Sequence, residues 1–181
     1  MKKTPLILGI VAGLAVAAGV VWYSGHRAGA PERKDASRPA AATSGKRTMP
    51  AFSLHDISGN RIDSSRFSGK PTVINFFASW CPPCREEIPG FVAVHEKYKD
   101  RGLELVGISL DTDTRGNLPA FIMSNRIGYR ILLGDIATVQ AFDWGSGIPA
   151  TFFIGKDGQI RTVHVGYMDR DAFDREVQKL L

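Results

Sequence analysis

The run Thr72-Val-Ile-Asn-Phe-Phe-Ala-Ser-Trp-Cys-Pro-Pro-Cys84 sets a β-branched and aromatic stretch directly against two cysteines separated by two prolines. The near-continuous apolar run from Thr72 to Phe77 predicts a strand covered on both faces. From Pro82 onward, Glu86, Glu87, Phe91, Val94, His95 and Tyr98 fit a helix entered through proline and closed by Gly102, with a kink expected at Pro89. Leu103 to Leu110 reads as a second buried strand. Arg115 to Arg126 reads as a second helix with Leu118, Phe121 and Ile122 on one face. A strand, helix, strand order of this kind implies a parallel pair.

The flanking segments complete an α/β pattern. Before the central run, Phe52 to Leu54 and Arg61-Ile62 surround the turn residues Ser58-Gly59-Asn60, predicting an N-terminal β-hairpin. After it come a short helix near Asp135 to Phe142 and a hairpin of Thr151 to Ile154 with Ile160 to Val165. Asp169 to Leu181 then places Phe173, Val177, Leu180 and Leu181 on one helical face.

The net charge of +5 would invite a nucleic-acid reading if it lay on this domain. It does not. Lys2, Lys3 and the stretch from Ser24 to Thr48 together carry +6, which leaves −1 for Met49 to Leu181. Without clustered Lys and Arg there is no footprint for a phosphate backbone, and nucleic acid is excluded as the expected partner. The uncharged run from Thr4 to Gly25 covers 22 residues, roughly 33 Å as a helix, enough for a hydrocarbon core of about 30 Å. Residues 1–25 are therefore expected to be a membrane anchor or uncleaved signal. A cleaved signal peptide is the rival, with Ala28-Gly29-Ala30 as the small-residue site. The length of the run, an aromatic belt at Trp22 and Tyr23, and Pro31 after that site favour the anchor. Residues 26–48, rich in Ala, Gly, Ser, Pro, Lys and Arg without apolar periodicity, read as a flexible linker. Residues 49–181 read as one folded domain outside the cytoplasm.

Cys81 and Cys84 are the only cysteines, and their local spacing points to chemistry rather than to a stapled scaffold. At the junction of a buried strand and a helix N-terminus, a thiolate on Cys81 is stabilised by unpaired N–H groups and the helix dipole. That makes Cys81 the candidate attacking sulfur. Cys84, one turn further in, is placed to resolve a mixed disulfide. Pro82 and Pro83 stiffen the link and tune the redox balance of the pair. A structural disulfide closing so short a loop contributes only about 2 kcal/mol. A zinc site would need ligands from the scattered His26, His55, His95 and His164. Dithiol-disulfide exchange requires neither metal nor organic cofactor. Asp111-Thr-Asp113 reads as a polar loop, because the remaining spacing of a calcium loop is missing.

The domain from Met49 to Leu181 resembles thioredoxin, and more closely the TlpA/ResA-like family of membrane-anchored thiol-disulfide oxidoreductases. The resemblance rests on Val73-Ile-Asn-Phe-Phe-Ala-Ser-Trp-Cys-Pro-Pro-Cys84, on Gly147-Ile-Pro-Ala-Thr-Phe152 and, more weakly, on Phe52-Ser-Leu-His-Asp-Ile-Ser-Gly59. It implies a thioredoxin-like fold, a central mixed β-sheet flanked by helices, with the β-hairpin as an N-terminal extension. It also implies a cis peptide at Pro149, with the backbone of Ile148 free to take an extended partner and Trp80 either adding apolar surface or simply packing. Asn75 stands where thioredoxin carries a buried acid, and asparagine does not titrate. Glu87 matches a glutamate that several family members place at the site. It reads either as a proton exchanger for Cys84 or as a solvated helix residue.

The expected partners are protein thiols and disulfides and a membrane or periplasmic electron donor. The expected place is the bacterial inner membrane, single-pass, with the domain in the periplasm. The reducing direction and cytochrome c maturation follow from the family resemblance. The alternatives are a disulfide-forming oxidase, a thiol peroxidase, for which the Pro-x-x-x-Thr-x-x-Cys context is missing, and a binding module or chaperone without turnover.

Overall fold

A computed structural model describes residues 47–181. The expected membrane segment and nearly all of the expected linker lie outside these residues. Among the described residues no helix is long and apolar enough to cross a membrane.

The chain runs β1 (Ser53–Asp56), β2 (Arg61–Asp63), β3 (Thr72–Phe77), α1 (Pro82–Tyr98), β4 (Glu104–Ser109), α2 (Leu118–Ser124) and β5 (Arg130–Leu133). It continues through α3 (Ile136–Phe142), β6 (Ala150–Ile154), β7 (Ile160–Val165) and α4 (Arg170–Gln178). The strands form one sheet in the order β2-β1-β5-β4-β3-β6-β7. β3, β4 and β5 are parallel neighbours; β1, β2, β6 and β7 pair antiparallel. This is the mixed, helix-flanked sheet that the thioredoxin resemblance implies. Thr48 extends the pairing by a bridge to Gln159.

β3 sits at the centre, and all six of its residues are buried. Successive side chains of a strand point to opposite faces, so it feeds two cores. Val73 and Phe77 pack beneath α1 and α4 with Phe91, Val94, Phe173 and Val177. Ile74 and Phe76 face Phe52, Leu54, Phe67 and Phe142 on the other side. The ring of Phe173 stacks on Phe91 at 3.8 Å between centroids, which ties α4 to the helix that carries the cysteines.

Two elements differ from the sequence reading. No strand is expected between Arg126 and Asp135, yet Arg130–Leu133 forms β5. The segment is too short to display a period; its identity comes from pairing with β4 on one side and β1 on the other. The helix expected over 115–126 is instead a 3₁₀ turn at Arg115–Asn117 followed by α2. Pro119 has no N–H to donate and fits only the first turn of a helix, so the α-helix starts just before it. α1 passes after Tyr98 into a 3₁₀ turn at Lys99–Arg101, and it is this turn that Gly102 closes at φ 88°, the left-handed conformation that glycine adopts without a Cβ clash.

Phe173→Ala is expected to cost about 3–5 kcal/mol of unfolding free energy by removing the ring that locks α4 to α1. Denaturant unfolding checks this, the midpoint falling while the slope holds.

Candidate active site

Cys81 caps the N-terminus of α1 in an extended conformation. Ordinarily an N-cap side chain finds several unpaired backbone N–H groups. Here Pro82 and Pro83 occupy the first two helical positions and have none, so the Cys84 N–H is the first donor of the helix. It points at Cys81 Sγ, 3.4 Å away. The two cysteines form a disulfide, with Cα atoms 5.3 Å apart. Cys81 is 3% exposed and Cys84 wholly buried, so of the two sulfur-bearing residues Cys81 is the one nearer the surface.

The peptide Ile148-Pro149 is cis, as the resemblance implies. It places the Ile148 carbonyl oxygen 3.8 Å from Cys81 Sγ. A disulfide sulfur carries no hydrogen, so this is a contact in the oxidised state and lies within reach of a thiol S–H in the reduced one. The loop leading to it is shaped by Gly147 at φ 94°, whose carbonyl accepts a hydrogen bond from Trp144 Nε1 at 2.8 Å. Trp80 is 59% exposed beside the disulfide, a surface residue rather than a packed one.

Glu87 is only 2% exposed. It lies three residues beyond Cys84 on the inward face of α1, which places it over β3. Asn75 Nδ2 donates to its Oε1 at 2.9 Å and to Thr151 Oγ1 at 3.1 Å, while the Met168 N–H donates to its Oε2 at 3.3 Å. Burial pushes the carboxyl up to about 8, and the bonds from Asn75 and Met168 only partly offset this. Asn75 serves either protonation state. Its Nδ2 donates to a carboxylate, and after a half-turn of the amide its Oδ1, unpaired here, accepts from a carboxylic O–H. A cleft of about 270 Å³ lined by Glu86, Glu87, Gly90, Tyr167, Met168 and Arg170 opens beside the buried carboxyl.

The structure thus brings Cys81, Cys84, Ile148 and Pro149 into one cluster and links Asn75 with Glu87 on the inner side of α1. Pro82 and Pro83 fill the first two positions of α1 and offer Cys81 no N–H. Sequence reasoning misses three groups. Thr151 could have been found as the one hydroxyl in the buried strand β6. Met168 contributes only backbone, which no side-chain pattern reveals. Asp111, read as part of a polar loop, is 1% exposed. Among the described residues no three His, Cys, Asp or Glu converge as a metal site.

A carboxyl raised from 4.5 to about 8 holds its proton more tightly folded than unfolded. Its contribution to stability is complete below about pH 4.5 and is lost as pH rises through about 8. Glu87→Gln is expected to remove that loss, on the order of 2–4 kcal/mol between about pH 4 and pH 8. Unfolding of the disulfide form across this range, variant against parent, is the measurement.

A family model described as the AhpC/TSA family matches residues 46–163. Thiol-disulfide oxidoreductase ResA of Bacillus subtilis is 31% identical over 120 residues, 66% of this chain and 66% of that protein. Thiol:disulfide interchange protein HelX of Rhodobacter capsulatus is 30% identical over 155 residues, 84% of this chain and 85% of the relative. Among solved structures, a thioredoxin-family thiol:disulfide interchange protein from Chlorobium tepidum is 32% identical. It superposes with a TM-score of 0.69 over 77% of this chain and 99% of its own. With the disulfide, the cis-proline and the sheet order in place, the chain belongs to the AhpC/TSA family, as a thioredoxin-fold thiol-disulfide oxidoreductase of the ResA and HelX type.

Proposed function

We propose that this protein is a reductase of partner disulfides, with Cys81 as the attacking sulfur and Cys84 as the resolving one. The observation that carries the reading is the placement of Cys81 at the helix cap, facing the Cys84 N–H on one side and the Ile148 carbonyl on the other. The Cys81 thiolate attacks one sulfur of the partner disulfide and expels the other as a thiolate, leaving a mixed disulfide. Cys84, deprotonated, then attacks Cys81 Sγ and expels the partner's second thiolate. Two electrons pass to the partner, whose thiolates take up protons. Glu87 takes the Cys84 proton when ionised and gives it back when the disulfide is reopened. Its value near 8 suits exchange in both directions around neutral pH.

An extended partner segment lies against the backbone of Ile148 before cis-Pro149, by strand addition, with exposed Trp80 supplying apolar area beside it. The reducing direction is supported by the two prolines. They leave a single N–H facing Cys81 Sγ, so a thiolate there receives less help than at an ordinary helix cap, and the reduced pair is the less comfortable state. Buried Glu87 adds no positive charge to relieve it. In this reading residues 1–25 anchor the chain in the bacterial inner membrane and residues 26–48 tether residues 49–181 in the periplasm. A membrane or periplasmic dithiol donor restores the pair. The family resemblance makes cytochrome c maturation the candidate pathway.

Cys84→Ser in the full chain is expected to trap partner proteins on Cys81 as mixed disulfides that thiol reductants release, while Cys81→Ser traps none. Alkylation of the resting protein in cells is expected to find the pair mostly as dithiol. A resting pool held mainly as disulfide would instead mark an oxidant.

A further inference from the structure

The exchange chemistry makes no use of Asp111, yet its carboxylate is among the most fully satisfied in the molecule. It follows β4, where the parallel strands β3 and β4 end side by side in the register Phe77 against Ser109. Its Oδ2 accepts from the Ser79 N–H at 3.0 Å and from Ser109 Oγ at 2.8 Å. Its Oδ1 accepts from Ser79 Oγ at 2.6 Å and from Thr114 Oγ1. Burial alone would push this carboxyl up, but the four donors outweigh it and hold the group below the usual carboxylate range. Every one of those donors is uncharged. Asp111 is therefore a buried anion neutralised by no cation among the groups that hold it.

Two of the four bonds fall on Ser79, inside the turn from Ala78 to Cys81 that the Cys81 N–H closes on the Ala78 carbonyl at 3.1 Å. This turn presents both exposed Trp80 and Cys81. We propose that Asp111 is the positioning residue of the exchange site: through Ser79 it fixes the turn that presents Cys81, and its charge opposes thiolate build-up on that sulfur. The inference rests on the reading of Cys81 as the attacking group. Glu87, on the inward face of α1, is largely uncharged at neutral pH, and Arg85 and Glu86 beside it are exposed to solvent, whereas Asp111, tied to the turn through Ser79, is a buried charge. A fixed negative charge disfavours the thiolate and with it the reduced state, which makes the pair a stronger reductant.

Asparagine separates the two roles. Its carbonyl can replace Oδ2 towards the Ser79 N–H and Ser109, while its amide donates to the hydroxyl oxygens of Ser79 and Thr114. Asp111→Asn thus removes the charge and keeps the turn. The expected result is a Cys81 thiol pKa lower by about half a unit. At a pH above the Cys81 pKa, the equilibrium of the pair with glutathione should shift about threefold towards the dithiol. Asp111→Ala, which also releases Ser79, should show the same pKa shift together with exchange slowed about tenfold on a small disulfide. Asp111→Ser, equally uncharged, carries the pKa test if the amide is poorly accommodated. An unchanged or raised Cys81 pKa in the folded uncharged variants overturns the proposal. Persistence of exchange in Cys81→Ser would instead overturn the assignment of the attacking sulfur, so the two failures are told apart.

Discussion

One contact organises the site: the Cys84 N–H directed at Cys81 Sγ across the first turn of a helix whose two leading residues are prolines. Its geometry is inherited from the core. β3 is buried on both faces and runs straight into the turn, so Cys81 cannot drift relative to the sheet. The Phe91 and Phe173 stack holds the middle of the same helix against α4. A sulfur fixed at a helix N-terminus gains from the dipole and from unpaired N–H groups. The prolines withdraw two of those groups and leave the dipole, and it is on this that the proposed tuning of the pair rests.

Beneath the pair lies a second, polar layer inside an otherwise apolar core. Asn75, Glu87 and Thr151 come from β3, α1 and β6 and meet only because those elements pack together. A buried carboxyl beside a neutral amide remains neutral over most of the physiological range, and the amide can match it in either protonation state. The layer costs stability at high pH, the kind of local cost that a role in proton exchange at the proposed site would explain.

Much of this is legible in the sequence because the signals are local. The apolar run ending in Trp80-Cys81-Pro82-Pro83-Cys84 specifies a covered strand, a turn and a proline-led helix within thirteen residues. Cys81 and Cys84 could be paired with their chemistry on spacing alone. What stays hidden is non-local. β5 is a strand only because β4 and β1 flank it. Glu87 is distinguished from its exposed neighbour Glu86 by the turn of the helix over β3, and its second partner is the backbone of Met168, 81 residues away. Asp111 looks like any acid in a polar loop until the parallel register of β3 and β4 carries it to Ser79, 32 residues earlier. In each case the missing information is a tertiary juxtaposition rather than a propensity.

The central claim is that the helix cap, not solvent access alone, makes Cys81 the reactive sulfur and Cys84 the reluctant one. The most direct measurement is the rate of alkylation of each cysteine in the reduced protein as a function of pH, with the sites resolved by peptide mapping. The account predicts a Cys81 pKa below the free-thiol value of about 8.5 and a Cys84 pKa above it. Equal values, or a lower one at Cys84, would contradict it.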